Sequence, residues 1–262
     1  MKTIGIIGFG NMGRALYKGL ETRADAYVLL AAEHDAEKAA QAQKEAGVRI
    51  VSNEELASGA EIIIIAVKPQ ELPRLVSEIG GLTRNKKVIS VVAGKKTDYF
   101  SGALHTDQVV RFMPNLAASA GCAAVGVSPG PRANAGFERE CLEIARAVGT
   151  PYLIPENLMS AITGLSGSGI AYVFAFVHAL ALGGVESGFK YDQALDISLT
   201  TLEGALAVLK SSKNNPIEWL SRVVSPAGTT IRGVAALEEL GFTHAVMKAV
   251  RSAAERAAEL EA

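Results

Sequence analysis

Hydrophobic and polar positions along the chain fall into two regimes. Up to about residue 150, short apolar or β-branched runs at 3–7, 26–31, 62–67, 87–92, 108–112 and 122–127 alternate with polar stretches, of which 12–22 and 36–46 read as helices. That alternation predicts a parallel sheet covered by helices. The run Ile62-Ile63-Ile64-Ile65-Ala66-Val67 is apolar at every position instead of every second one. A strand buried on both faces has this pattern, which puts it at the centre of the sheet. Beyond Pro151 and Pro155 the strand pattern stops. Helices are predicted at 157–164, 167–187, 192–211, 216–223, 229–240 and 243–260, and Pro216 suits a first helical position. The expected fold class is α/β, with a mostly parallel sheet domain over 1–152 and an all-helical domain over 153–262.

The helical part is rich in Ala and Leu, and its last helix sets Val246, Ala249, Val250 and Ala253 along one side. So much apolar surface on long helices predicts a core completed against a second subunit; packing within one chain is the alternative. The most apolar stretch, 170–185, falls short of the ~20 residues of a membrane span and contains His178, Gly183 and Gly184. A buried helix and no membrane are expected, with His178 a hydrogen-bonded core residue. The run after Lys2 is too short for a signal-peptide core. With 26 basic and 27 acidic side chains the formal charge is −1, which points away from nucleic acid and toward a small partner. Cys122 and Cys141 have neither metal-ligand nor redox spacing, and His105 and His244 have no companion at metal spacing. Reduced thiols in a cytoplasmic protein, and no metal site, are expected.

The chemistry begins at Gly8-Phe9-Gly10-Asn11-Met12-Gly13, directly after the first strand and at the opening of the first helix. In that setting Gly8 permits a tight turn, Gly10 lets the backbone approach a pyrophosphate, and Gly13 lets the helix sit close to the strand. The N–H groups of the helix start then face the phosphate oxygens. A bound nicotinamide dinucleotide is expected. About 20 residues beyond Gly13, Glu33 and His34 follow the second strand, where an acid accepts ribose hydroxyls and a 2′-phosphate wants an arginine. Two unit charges about 4 Å apart repel by about 4 kcal/mol at an effective dielectric of ~20, and a quarter of that shifts a preference roughly fivefold. Glu33 therefore leans toward NADH, against the alternatives that it faces water or that His34 contacts a phosphate. NADH and NADPH both stay open.

Four further segments are hard to explain as generic helix or strand. Ala66-Val67-Lys68-Pro69-Gln70 follows the third strand, at the carboxyl edge of the sheet where ligands of open α/β sheets bind. Arg111-Phe112-Met113-Pro114-Asn115 does the same after a later strand. Gly164-Leu165-Ser166-Gly167-Ser168-Gly169 precedes the long apolar helix, and Ser225-Pro226-Ala227-Gly228-Thr229-Thr230 feeds the helix that runs on through Glu238.

On these segments the chain resembles the pyrroline-5-carboxylate reductases, enzymes of the last step of proline synthesis, over essentially its whole length. The resemblance implies an N-terminal Rossmann domain, a helical C-terminal dimerisation domain, and NADPH or NADH as cofactor. It implies a homodimer, possibly assembled further, acting on a small-molecule substrate, 1-pyrroline-5-carboxylate, to give L-proline. Cofactor contacts carry over to Ile7, Gly8, Phe9, Gly10, Asn11 and Met12, to Asn53 near the adenosine, to Ala66, Val67, Lys68 and Pro69, and to Val92, Ala93 and Gly94. Substrate positions match Glu156, Ser225, Thr229 and Thr230. Three residues depart from the family pattern: Val224 and Ala227, where Thr and Gly are usual, and Ile170, where Pro is common.

The residues themselves agree with this implication. A carboxylated cyclic imine needs an anion site, and the Ser225 hydroxyl with the N–H groups of Gly228, Thr229 and Thr230 at a helix start makes one. Thr230 is the candidate catalytic residue: its hydroxyl is a poor general acid, so it is expected to position the ring nitrogen or relay a proton from water. Glu156 at the start of a helix has a plain alternative, a solvated acid favoured by the helix dipole. Arg111 is expected either to brace the edge of the cofactor site or to cap a strand. Dehydrogenases of β-hydroxyacids need a lysine on the long helix, and 170–189 has none. Another imine or keto-acid reductase, and a non-catalytic redox sensor, are the remaining alternatives.

Overall fold

The computed structural model describes residues 1–212 and 215–261. Seven strands form one sheet: β1 (Lys2–Ile7), β2 (Tyr27–Ala32), β3 (Ile62–Ile65), β4 (Lys87–Ser90), β5 (Val109–Met113), β6 (Ala123–Pro129) and β7 (Gly149–Leu153). Their order is β2-β1-β3-β4-β5-β6-β7, and every neighbouring pair is parallel except β5 with β6. Ile62, Ile63, Ile64 and Ile65 are all fully buried, with Ile62 and Ile64 in the apolar cluster on one face and Ile63 and Ile65 in that on the other. The unbroken isoleucine run is thus the two-sided strand its pattern predicts.

Six helices flank this sheet: α1 (Asn11–Glu21), α2 (Ala36–Ala46), α3 (Asn53–Gly59), α4 (Leu72–Ile79), α5 (Thr97–Leu104) and α6 (Ala135–Arg146). Asp35 caps α2 by accepting from the Glu37 and Lys38 amides, Ser52 caps α3, and Asn134 caps α6. The sequence reading named only the first two of these helices. Helices α3, α4 and α5 are seven or eight residues long, too short to establish a period, and they owe their stability to packing Leu56, Leu72, Leu75 and Phe100 against the sheet. It also stopped the strands before 149–153. β7 carries Pro151 in its interior, and it is the edge strand, where proline is tolerated.

The chain divides into two compact units, 1–168 with 251–262, and 169–250. The division lies beyond the expected one after 152. A short helix, α7 (Met159–Ile162), and a π-helical turn, Thr163–Gly167, still pack with the sheet: Ile162 lies against Gly126 of β6, and Met159 is fully buried. The second unit contains α8 (Gly169–Glu186), α9 (Tyr191–Ser211), α10 (Pro216–Val223), α11 (Thr229–Glu239) and the first half of α12 (Phe242–Glu259).

Within that unit α8 packs on α9 where Gly184 meets Ala194, and Tyr172 donates a hydrogen bond to the Ala249 carbonyl at 3.1 Å. Yet only Val177 and Ala181 of α8 are buried. Val173, Phe174, Leu180, Leu182 and Val185 stand exposed, and an apolar groove runs between α8, α9 and α12. The expectation of a buried helix is not met within one chain. His178, expected in the core, is likewise exposed, with its Nδ1 3.1 Å from the Tyr191 hydroxyl. The helical stretch is also longer than the sequence count gave. From Glu156 to Glu186 it spans 31 residues, enough by length and composition to cross a membrane. Length and composition alone do not separate a span from a helix of a soluble protein.

Candidate active site

The sheet reverses its direction of growth at β1, with β2 on one side and β3 on the other. Loops leaving the carboxyl ends of two such strands part to leave a crevice, the usual ligand position in open α/β sheets. Here the two loops are the glycine loop after Ile7 and the Ala66-Val67-Lys68-Pro69 segment after Ile65. Gly8 has φ +93°, a conformation L side chains avoid, and a Cβ there would lie 2.7 Å from the Ala66 carbonyl group. A Cβ on Gly13 would lie 2.0 Å from the Gly8 oxygen, so only glycine lets α1 start this close to β1. Gly10, by contrast, faces open space, with nothing within 4 Å of where its Cβ would be.

Gly10 also caps α1 without a side chain, and the first turn, Asn11 to Gly13, holds no acid. The helix therefore presents uncapped N–H groups and the positive end of its dipole to that open space. A pyrophosphate fits this geometry, and the glycine loop with the N-terminus of α1 would hold it. Phe9 itself is buried, and Arg14 donates from Nε to its carbonyl at 3.2 Å.

The crevice continues between Gly8, His34, Asn53, Val67, Glu71 and Arg74. Asn53, on the first turn of α3, donates from Nδ2 to Glu78 at 2.6 Å. Lys68 and Pro69 are exposed at the turn into a short 3-10 helix, Pro69–Glu71. Val92 is buried, its N–H donating to the Ser90 hydroxyl at 3.2 Å. Ala93 leads into Gly94, over which the Leu260 carbonyl sits at 2.5 Å from a would-be Cβ. Glu33 is turned inward, with one oxygen accepting the Phe9 N–H at 2.9 Å and the other the Asp35 N–H at 3.0 Å.

Arg111, which the sequence left between two roles, lies inside the sheet unit at 1% exposure. Its guanidinium donates to Glu156 at 3.2 Å and to Glu261 at 2.7 Å. Glu156 also accepts from the Thr97 N–H at 2.8 Å and from the Thr97 hydroxyl at 2.9 Å. Both carboxylate oxygens of Glu156 are thus engaged in the protein, and the group clamps the start of α5 to β5. No feature of the sequence pairs Arg111 with Glu261, 150 positions away. Two of the segments singled out by sequence do meet: Asn115 donates from Nδ2 to the Ser166 hydroxyl at 3.0 Å, and Ser166 donates on to the Ala124 carbonyl at 3.4 Å.

In the helical unit, Ser225 to Thr230 form a turn feeding α11. The Gly228 N–H donates to the Ser225 carbonyl at 3.0 Å, and the Ser225 hydroxyl lies close enough to Gly228 that a Cβ there would be 2.2 Å from it. Ala227 takes φ +57°, the left-handed region. Gly228 caps α11 with no side-chain bond and no acid follows in the first turn, so the amides of Thr229 and Thr230 stay available. Ser225 and Thr229 are exposed and Thr230 is half-buried. The turn thus carries hydroxyls and uncapped amides at the start of a helix.

A glycine-loop crevice at the switch point of a parallel sheet, joined in one chain to a helical unit, is the build of a dinucleotide-dependent oxidoreductase. Comparison with known proteins narrows the class. Residues 156–260 match the family model described as pyrroline-5-carboxylate reductase dimerisation, and residues 3–94 match that described as NADP oxidoreductase coenzyme F420-dependent. The pyrroline-5-carboxylate reductase of Methanosarcina acetivorans is 39% identical over 98% of this chain and 97% of its own length; that of Escherichia coli K12 is 32% identical over 99% and 98%. Among solved structures, the Plasmodium falciparum pyrroline carboxylate reductase with NADP bound superposes with a TM-score of 0.90 at 27% identity, covering 100% of this chain and 98% of that one. The Streptococcus pyogenes enzyme gives the same score at 26% identity, covering 98% of each. The chain belongs to the pyrroline-5-carboxylate reductase family.

Proposed function

We propose that the chain reduces 1-pyrroline-5-carboxylate to L-proline with NADPH or NADH, as a cytoplasmic homodimer. The observation that carries this reading is the anion turn at Ser225 to Thr230, present in one chain with a crevice shaped for a dinucleotide. A redox sensor needs the crevice but has no use for the turn. The bound reduced nicotinamide supplies a hydride to the imine carbon, so the protein has to orient the ring and manage one proton. The Ser225 hydroxyl with the Thr229 and Thr230 amides holds the substrate carboxylate. The Thr230 hydroxyl hydrogen-bonds the ring nitrogen, which takes up a proton as the C=N bond becomes C–N. Threonine titrates far from neutrality, so the proton comes from water through that hydroxyl or arrives with a protonated imine. Glu156 serves by bracing Thr97 and Arg111, because both its oxygens already have donors.

The helical unit exposes what a partner would cover. The apolar faces of α8 and α9 lie within the matched dimerisation region, and a second copy of the chain is the occupant that match favours. The direct test mixes purified protein with pyrroline-5-carboxylate and either reduced nucleotide and follows the loss of reduced-nicotinamide absorbance. Turnover is expected, and its absence with both nucleotides would overturn the reading. Thr230→Ala is expected to lower kcat by about 10²-fold with nucleotide affinity intact. Unchanged turnover would remove Thr230 from the chemistry.

A further inference from the structure

The ribose end of the crevice carries more than the glycine loop does. β2 ends at Ala32, and the next side chain, Glu33, is 5% exposed and turned under the loop. Its Oε2 accepts the Phe9 N–H and its Oε1 the Asp35 N–H. A carboxylate held by two amides is fixed before any ligand arrives, yet it has about four lone-pair positions and keeps capacity to accept another donor. In this fold the acid after the second strand is where an adenosine ribose presents its 2′-hydroxyl.

The two basic side chains that line this end, His34 and Arg74, already stand beside carboxylates. His34 has Nδ1 3.2 Å from Glu33 and Nε2 3.9 Å from Glu71. Arg74 has Nε 3.4 Å from Glu78, whose other oxygen takes the Asn53 amide. Three carboxylates therefore stand around one guanidinium and one imidazole, and a 2′-phosphate would add about two more negative charges. A ribose hydroxyl adds none and can donate.

We propose that Glu33, fixed by the Phe9 and Asp35 amides, selects NADH over NADPH in this chain by accepting the ribose 2′-hydroxyl and setting its carboxylate against a 2′-phosphate. The proposal rests on the crevice being the nucleotide site of the reductase read above, so its test is a binding measurement without substrate. The full-length protein is titrated with NADH and with NADPH, and the nucleotide fluorescence is followed. NADH is expected to bind at least about fivefold more tightly. Glu33→Gln removes the charge and one of the two amide acceptors; the affinity ratio is expected to fall toward unity, whatever loss the loosened loop imposes on both nucleotides. His34→Arg, on a residue 41% exposed and so tolerant of change, keeps Glu33 and is expected to raise NADPH affinity severalfold. Equal or tighter NADPH binding by the native chain, or an unchanged ratio in Glu33→Gln, would overturn the proposal. Selective NADH binding with no turnover of the imine would support it while overturning the reductase reading.

Discussion

Ala227 shows what one side chain does to a binding turn. Its left-handed backbone at φ +57° costs an L residue about 1 kcal/mol relative to glycine, and glycine is what the family usually has there. The turn keeps its shape because the Gly228 N–H to Ser225 carbonyl bond closes it regardless. Ala227→Gly is therefore expected to stabilise the native chain by about 0.5 kcal/mol, the relief of strain being partly offset by a more flexible unfolded state. Denaturant unfolding of the two proteins checks the sign; a lower midpoint in the variant would contradict it. Glu33 and Glu156 make a related point at the same scale. Both were picked from sequence as acids near a ligand. In the structure each has both oxygens occupied by protein donors, so their first effect is on the backbone that surrounds the ligand.

Elements of the sheet unit are tied by charge as well as by packing. Glu140 on α6 receives hydrogen bonds from Lys2 at the start of β1 and, at 2.6 Å, from Lys87 at the start of β4. Burial by itself would raise the Glu140 carboxyl, but the two lysines outweigh it and hold the group below the ordinary glutamate range. A carboxyl depressed in the folded state adds stability above its unfolded value, and that contribution is lost as pH falls through the folded one. Glu140→Gln is expected to cost about 1–2 kcal/mol at pH 7, discounted for the exposure of Lys2, and progressively less as pH drops below about 4. Urea unfolding at neutral and acid pH reads this difference; a gap that stayed constant would show that the ion cluster contributes nothing. The amphipathic order of these elements was readable because period and flanking turns mark long segments. The short helices and the proline-bearing edge strand were not, since their identity is set by the surface they cover.

For the whole molecule, the helical unit is the element of fold that one chain does not complete. Val173 and Leu180, one heptad apart on α8, are 45% and 42% exposed and line the same apolar groove. Exposed apolar surface on this scale associates in water. A Val173→Glu, Leu180→Glu double variant is expected to shift the native assembly to monomer in sedimentation, with loss of turnover and with nucleotide binding retained. Retained assembly would place the contact elsewhere. From sequence the helices and their apolar character were plain. Which side of α8 its own chain covers was not, because the helix is apolar nearly all round and carries no stripe to orient it.

By itself the sequence determined the features that depend on near neighbours along the chain. These are the two-sided strand at Ile62–Ile65, the glycine loop that only fits between a strand and a helix, and the turn into α11 with its free amides. Each is dictated by local sterics and by alternation of side chains, and each is specific enough to point to a family. Only the tertiary structure decided what depends on pairs distant in sequence. It closed Arg111 on Glu156 and Glu261, joined Asn115 to Ser166, and fixed Glu33 on the amides of Phe9 and Asp35. A side chain with several possible partners takes the one that leaves no buried donor or acceptor unpaired, and that choice is made by the assembled surroundings.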